Sequence, residues 1–307
     1  MAPDLRRHAG AQWARYMRRG EFDAAWRVSD RLLGADDRSY IQTPRHEQQI
    51  WDGTPLEDKR VLVRCYHGLG DTLQFIRFVP WLAARCREIT VWAQPKLLPL
   101  LATVEDVGKL IPLHDGVPDV PYDADVELME LPHVFRVTLE TIPAEVPYVH
   151  VAAAPRNGSL PRVGLVWRAG EWDEQRTIAR PRLEPLLSVR GIEWVVLQPD
   201  ASPAEWGRDD GLWPAAWDLL TYAQMVRSLD LLITIDSMPA HLAGAMGVPV
   251  WTLLPAQADW RWMEARADSP WYPTMRLLRQ PSPGQWDRVV ESAAACLREW
   301  RQALTCR

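Results

Sequence analysis

The chain has 307 residues, of which 47% are hydrophobic and 24% charged, and its formal net charge is −5. This length favours two domains as a soft prior, and the balance of apolar and charged residues is typical of a protein with a sizeable core. The net negative charge argues against a broad basic surface for nucleic acid. No run of about 18 apolar residues predicts a membrane span.

Two further features favour a cytoplasmic protein without a metal centre. The first ten residues, MAPDLRRHAG, lack the apolar segment of a secretory signal. No His, Cys, Asp and Glu cluster has the spacing of metal ligands, and the cysteines lack C-x-x-C spacing, which argues against a zinc site and a disulfide framework. The four cysteines are Cys65, Cys86, Cys296 and Cys306.

The first predicted element is a helical hairpin. Apolar side chains have helical spacing on both sides of Gly20, with Trp13 and Met17 on one face and Phe22 and Trp26 on the next. The pair is similar to a single tetratricopeptide-type unit. No second copy follows, and one unit cannot bury its own face. We therefore expect residues 1–50 to form a cap docked on the main body.

From residue 60 the pattern changes to alternating strands and helices. Helical patterns at 71–85 and 96–104 separate segments with the apolar pattern of buried strands. The strand segments are 60–66, 88–94, 109–113 and 123–131. This alternation predicts a parallel sheet with helices on both faces, in a first domain at residues 51–150.

A second series follows residues 141–161, which contain four prolines and are typical of a linker. Its strand patterns are at 162–168, 192–198, 230–236, 248–254 and 275–280. Its helical patterns are at 182–189, 221–228, 238–246 and 285–304. We predict a second doubly wound α/β domain over residues 151–307.

The stretch HGLGDTLQFIRFVP, residues 67–80, follows the first predicted strand and opens a helix. In parallel α/β sheets, ligands bind beyond the carboxyl ends of the strands, where this stretch lies. Gly68 and Gly70 permit a tight backbone turn and close approach of a ligand. Asp71 is either an ionised general base at the helix start or a plain N-cap. The residues alone favour neither role.

The stretch DLLITIDSMPAHLAGAMGVPVWTLLP, residues 230–255, contains a second strand–helix junction. The strand ends in Asp236, Ser237 is the expected N-cap, and His241 lies in the first turns of the helix. The amides of a helix start can bind a diphosphate, Asp236 can bind a sugar hydroxyl, and His241 can reach a phosphate. A capping serine and a core histidine are the alternatives, and we favour the functional interpretation.

Two more stretches carry candidate residues. The loop after the strand at 162–168 holds three arginines, Arg168, Arg176 and Arg180, and a loop arginine at this edge can neutralise a leaving phosphate. Solvated loop charges are the alternative, at even odds for Arg176. The aromatic stretch at 259–273 is either a loop over the ligand or packing around the last helix.

These stretches together resemble the heptosyltransferase-like glycosyltransferases of family 9, closest to the bacterial form that often follows tetratricopeptide repeats. The motifs that carry the likeness cover most of residues 51–280. They are WDGTPL (51–56), HGLGDTLQFIRFVPWLAAR (67–85), VGLVW (163–167), LDLLITIDSMPAHLAGAMGVPVWTLLP (229–255), DWRW (259–262) and SPWYPTMRLLRQ (269–280).

The resemblance implies a GT-B fold, with two Rossmann-like doubly wound domains facing a cleft, here preceded by the short helical hairpin. It implies inverting, metal-independent transfer from a nucleotide diphosphate sugar to an acceptor hydroxyl, with no further cofactor. By that likeness Asp71 takes the place of the catalytic base and Arg176 that of a basic residue at the diphosphate. The donor-binding junction is matched by Asp236, Ser237, Met238 and His241.

Two alternatives to a glycosyltransferase stay open. A nucleotide-sugar 2-epimerase has the same fold and needs no acceptor. A degenerate transferase retained as a nucleotide-sugar-binding protein is the other, because the loop RAGEWDEQRTIAR at 168–180 departs from the usual pattern of relatives, with Arg168 and Thr177 in place of small or serine residues. The acceptor, whether a glycan, a lipid-linked molecule or a protein, is not identified by the sequence.

Overall fold

A computed structural model describes residues 3–34, 54–170 and 174–305. Residues 51–53 of the first family motif, residues 171–173 of the arginine loop and residues 35–50 of the predicted cap therefore lie outside the described residues. The chain divides into two compact units. Unit 1 comprises Met1–Val149 and Asp259–Arg266, and unit 2 comprises His150–Ala258 and Ala267–Arg307. The segment 259–266 differs from the predicted boundaries, which placed it in the second domain.

Unit 1 begins with the predicted helical hairpin, α1 (Pro3–Arg18) and α2 (Phe22–Gly34). Gly20 lies between the helices with φ +74°, a backbone conformation that favours glycine. Met17, Phe22 and Trp26 are buried, and the Trp26 indole donates a hydrogen bond to the Val137 carbonyl at 2.8 Å. The apolar face of the hairpin is thus packed against the rest of unit 1.

All four predicted strands of the first series form one parallel sheet, with the order β3-β2-β1-β4. Its strands are β1 (Arg60–Arg64), β2 (Glu88–Ala93), β3 (Lys109–Pro112) and β4 (Ala124–Glu127). Its helices are α3 (Leu69–Phe75), α4 (Val79–Ala83), α5 (Leu98–Leu101) and α6 (Leu131–Val134).

The single helix expected at 71–85 is interrupted. The helices α3 and α4 are separated by a 3-10 turn at Ile76–Phe78. Pro80 lies in the first turn of α4, where a missing amide is tolerated, whereas inside a continuous helix proline removes a hydrogen bond and disfavours helical geometry in the preceding residue. Proline thus gives a physical reason for the interruption.

Unit 2 contains a five-stranded parallel sheet with the order β6-β5-β7-β8-β9. Its strands are β5 (Arg162–Val166), β6 (Glu193–Val196), β7 (Leu231–Ile235), β8 (Val250–Leu254) and β9 (Met275–Arg279). Its helices are α7 (Glu184–Leu187), α8 (Pro203–Trp206), α9 (Leu219–Arg227), α10 (Met238–Ala245) and α11 (Trp286–Thr305). Strands β5, β7 and β8 are buried at every position, as expected for a sheet covered on both faces.

Both sheets contain a topological switch point. In unit 1 the chain moves outward from β1 to β2 and β3 and then returns to place β4 on the other side of β1. In unit 2 the corresponding reversal lies at β5, between β6 and β7. Ligands of open α/β sheets bind outside the carboxyl ends of the strands at such points. The predicted doubly wound α/β class is confirmed, and the topology directs attention to the loops after β1, β4, β5 and β7.

Among the described residues, no helix is both long and apolar enough to cross a lipid bilayer.

Candidate functional site

The loop after β1 places Asp71 in the first turn of α3. The helix begins at Leu69 with Gly68 as its N-cap, and the Asp71 Oδ2 atom accepts a hydrogen bond from the Gly68 amide at 3.0 Å. Asp71 is therefore not the N-cap residue that one alternative expected. It is the third residue of the helix, and its carboxylate reaches back to bind the amide of the cap.

The glycines of this loop differ from expectation. Gly68 has φ −63° and ψ 160°, an extended conformation open to any residue, and Gly70 lies within α3. A Cβ atom at Gly68 would lie 3.1 Å from the Asp71 Oδ2 atom. The lack of a side chain at Gly68 thus leaves room for the Asp71 carboxylate, and the turn needs no left-handed backbone.

The second oxygen of Asp71 is bound by Arg261, a residue that the sequence analysis did not single out. The Arg261 Nη2 atom donates to the Asp71 Oδ1 atom at 2.8 Å, and the two side chains are 10% and 22% exposed. Arg261 belongs to the segment 259–266 that packs in unit 1. The pair is thus formed within one unit by residues 190 positions apart.

A cluster of charged side chains lies at the carboxyl ends of β1 and β4. Glu127 is the last residue of β4 and is in register with Arg64 on β1. Arg64 is fully buried and pairs with Asp125 at 2.8 Å. The His67 Nε2 atom lies 3.7 Å from the Glu127 Oε1 atom, and no side chain of the described residues hydrogen-bonds to either Glu127 oxygen.

The environment of Glu127 favours its neutral form. Burial raises the pKa of Glu127 to about 8, since Glu127 is 3% exposed, and the nearby guanidinium of Arg64 only partly offsets this effect. The Glu130 carboxyl group adds to the increase, and burial also raises the pKa of Glu130 itself. Arg64 is shared with Asp125 and cannot fully compensate both glutamates. The switch point of unit 1 therefore holds a buried carboxylic acid that titrates near neutral pH.

In unit 2, Asp236 and Ser237 occupy the junction between β7 and α10. Asp236 is 3% exposed. Ser237 is the N-cap of α10, as predicted by position, but its side chain makes no capping hydrogen bond; its hydroxyl contacts the Ile235 carbonyl at 3.3 Å. Met238 is the first residue of α10, followed by Pro239 in the first turn. The start of α10 is therefore not satisfied by the side chain of its own cap.

The structure brings Arg176 to Asp236. Arg176 ends a 3-10 turn, Glu174–Arg176, in the loop that follows β5. Its Nη1 atom donates to the Asp236 carbonyl at 3.2 Å and lies 3.4 Å from the Asp236 Oδ2 atom. The two residues follow β5 and β7, which are neighbours in the sheet, so the pair lies at the switch point of unit 2.

The other two arginines of this loop have different partners. Arg168 lies 3.3 Å from Glu205. Arg180 is 9% exposed, donates to Glu184 and the Trp206 carbonyl at 2.6 Å each, and lies over the Trp206 ring. Arg180 is thus a packed structural residue.

His241 faces the core of unit 2. It is 3% exposed, and its Nδ1 atom lies 3.0 Å from the Tyr272 hydroxyl. This is the environment that the core-histidine alternative expects. A contact of His241 with a donor phosphate stays a prediction.

Two residues of these sites were missed, for different reasons. Glu127 could have been recognised from the sequence, because it is an acidic residue at the end of a predicted strand, like Asp236. Arg261 could not, because the DWRW motif that contains it gives no indication of its partner Asp71, 190 positions away. Within the described ranges, no three His, Cys, Asp or Glu side chains form a group suited to a metal ion.

The raised pKa of Glu127 predicts a pH-dependent stability. The folded-state pKa near 8 lies above the unfolded value of 4.5, so the native state retains a proton that the unfolded state releases between these values, and stability falls as the pH rises through this window. Glu127→Gln mimics the neutral acid. We expect the two proteins to have equal free energies of unfolding in denaturant near pH 4.5. Up to pH 8 the variant should become increasingly more stable than wild type, by up to about 1.4 kcal/mol per pH unit.

Glu57→Gln, at an exposed position, is the control. Parallel curves of unfolding free energy against pH for wild type and Glu127→Gln would contradict the raised pKa of Glu127.

No family model matches the chain. Among curated proteins, Protein FlbA of Caulobacter vibrioides is 23% identical over an alignment of 291 residues, which covers 81% of this chain and 48% of the relative. The chain thus spans about half the length of the curated relative that it matches.

Solved structures give the clearer likeness. A family 9 glycosyl transferase from Veillonella parvula aligns with a TM-score of 0.58 and 12% identity, covering 80% of this chain and 99% of that one. A second similar structure is TibC of enterotoxigenic Escherichia coli, described as a dodecameric, iron-containing glycosyltransferase and heptosyltransferase. Its complex with ADP-D-β-D-heptose aligns with a TM-score of 0.58 and 15% identity, covering 81% of this chain and 78% of that one. At these identities the likeness concerns the fold. The described chain has the GT-B fold of the heptosyltransferase-like family 9 glycosyltransferases, as its motifs predicted.

Proposed function

We propose that this protein is an inverting, metal-independent glycosyltransferase that moves a sugar from a nucleotide diphosphate sugar to an acceptor hydroxyl. The observation that carries the proposal is the pair of Arg176 and Asp236 at the switch point of unit 2. The fold supports it, since TibC, which has a similar fold, is described in complex with ADP-D-β-D-heptose. The acceptor is left open.

Unit 2 provides groups that can stabilise the leaving nucleoside diphosphate. When the bond between the anomeric carbon and the diphosphate breaks, the departing nucleoside diphosphate takes the electron pair and needs its charge neutralised. Arg176 supplies a guanidinium held by Asp236, and α10 supplies a helix start whose cap side chain is not engaged with it. These two features offer the stabilisation that a metal ion provides in other transferases.

A residue of unit 1 can accept the proton of the acceptor hydroxyl. A hydroxyl is a poor nucleophile until a base removes its proton, and in this proposal Asp71 is that base. Its carboxylate is 22% exposed and held at both oxygens, by the Gly68 amide and by Arg261. The acceptor oxygen forms the new bond to the anomeric carbon as its proton passes to Asp71, and inversion follows from this single displacement.

The role of Arg176 is tested by nucleotide binding. Arg176→Met should weaken binding of a nucleoside diphosphate by about 10- to 100-fold, the scale of hydrogen bonds to a charged group. Arg168→Met is a matched control, because Arg168 lies in the same loop and also pairs with one carboxylate. Calorimetric titration with ADP, GDP and UDP measures the dissociation constants. Equal losses in both variants, or no loss in Arg176→Met, would contradict the proposed site.

The role of Asp71 is tested by Asp71→Asn. Loss of a positioned base should lower transfer at least about a hundredfold with donor binding retained. The variant is not neutral for stability, because the amide nitrogen of the introduced side chain would face one of the two donors that now bind the carboxylate, at a cost of about 1–3 kcal/mol.

Asp123→Asn is the control for this loss of stability. It removes the ion pair with Arg60 at the amino ends of β1 and β4, whereas Asp71 follows the carboxyl end of β1. Transfer is measured as nucleoside diphosphate release with a panel of acceptors, below the melting temperature of each variant. A rate within a few-fold of wild type in Asp71→Asn would exclude Asp71 as the base. Sugar isomerisation without an acceptor would instead identify a 2-epimerase.

Metal independence is tested by chelation, which matters because TibC is described as iron-containing. Transfer should persist in excess EDTA and after removal of the chelate by gel filtration, since the proposed leaving-group stabilisation comes from Arg176 and helix amides. Loss of transfer that is restored by Fe²⁺, Mn²⁺ or Mg²⁺ would overturn this part of the proposal.

A further inference from the structure

The segment between β8 and β9 leaves unit 2 and packs in unit 1. Residues Asp259–Arg266 belong to unit 1 although the chain on both sides belongs to unit 2. The segment opens with a 3-10 turn, Trp260–Trp262, whose N-cap Asp259 accepts a hydrogen bond from the Arg261 amide at 3.0 Å. Trp262 is fully buried and Met263 is 4% exposed. The segment is therefore an integral, packed part of unit 1.

Arg261 is held on several sides. Its guanidinium donates to Asp71 at 2.8 Å and lies 3.4 Å from Asp259. It lies over the rings of Phe75 and Trp260, at 5.9 and 5.3 Å from their centroids. The planar guanidinium is suited to such combined stacking and hydrogen bonding, whereas an ammonium group is not.

The N-terminal hairpin supports the same segment. Trp260 stacks on Phe75 of α3 with centroids 6.2 Å apart and meets Trp13 of α1 edge-on at 5.3 Å. The Glu264 amide donates to the Arg18 carbonyl at 2.9 Å, at the end of α1. The segment is thus fixed between α1 and α3, and α3 also carries Asp71.

We propose that Arg261 is a positioning residue for Asp71: it fixes the orientation of the carboxylate toward the acceptor hydroxyl, and the hairpin fixes Arg261. The inference rests on the proposed function, in which Asp71 is the base. Geometry is the reason that the contact matters, since a misplacement of about 1 Å can cost about a hundredfold in rate. Arg261 acts through Asp71 and touches no reacting atom.

The test is a double-mutant cycle with Asp71→Asn, Arg261→Met and both together. Arg261→Met should lower kcat at least tenfold with the donor dissociation constant and donor KM within about twofold of wild type. Arg261→Lys should recover only part of the loss, because it keeps the charge but not the plane. In the background of Asp71→Asn, Arg261→Met should cause no further loss beyond about twofold, because its target is already gone.

Arg60→Met is the matched control, because Arg60 is another unit 1 arginine paired with a carboxylate, Asp123, at the amino ends of β1 and β4 and outside the hairpin, and it should leave kcat unchanged. A normal kcat in Arg261→Met, or losses that multiply in the double variant, would overturn the inference. Failure of the proposed function has a different result, since Asp71→Asn itself would then transfer at the wild-type rate. A fall in melting temperature with normal kcat would assign Arg261 a purely structural role and also overturn the inference.

Discussion

The common direction of the strands within each sheet is the constraint on which both candidate sites depend. Because β1 and β4, and likewise β5 and β7, are parallel neighbours, the loops that follow them emerge at the same edge. This geometry places residues far apart in the chain at the same end of a sheet, such as Arg176 and Asp236, whose Nη1 and Oδ2 atoms lie 3.4 Å apart. The order of strands then decides which loops meet, because the reversal at β1 and at β5 leaves a crevice between crossovers.

The carboxylates at these ends of the sheets lie in two kinds of environment. Asp71 and Asp236 each contact an arginine within 3.5 Å, an arrangement that compensates the cost of removing a charge from water. Among the described residues Glu127 has no arginine of its own, since Arg64 pairs with Asp125, and burial keeps it protonated up to a pH near 8. Unit 1 therefore holds both a carboxylate paired with an arginine and a neutral carboxylic acid, in loops that emerge at the same end of the sheet.

The local sequence pattern was sufficient to locate the strands but not to predict which side chains contact one another. The nine strands of the described ranges lie in segments that the sequence pattern identified. The signal is strongest in β5, β7 and β8, because burial at every position leaves a continuous apolar run. Pro80 was visible in the sequence, yet the periodic pattern around it concealed the break between α3 and α4. Asp71 and Asp236 were found because a strand end and a helix start coincide there. Arg261 was missed because its importance lies in a contact across 190 positions, which no periodicity records.

The excursion of residues 259–266 also limits how this protein can be divided or recombined. The chain passes between the two units three times, after residues 149, 258 and 266. A fragment ending at residue 149 would contain the sheet of unit 1 but would lose Trp260 and Arg261, exposing the rings of Trp13 and Phe75 that they cover. A chimera that exchanges the second domain with a relative would import a foreign version of this segment. Substitutions in α1 and in 259–266 therefore act on the same contact surface within unit 1, although the two segments lie in different halves of the chain.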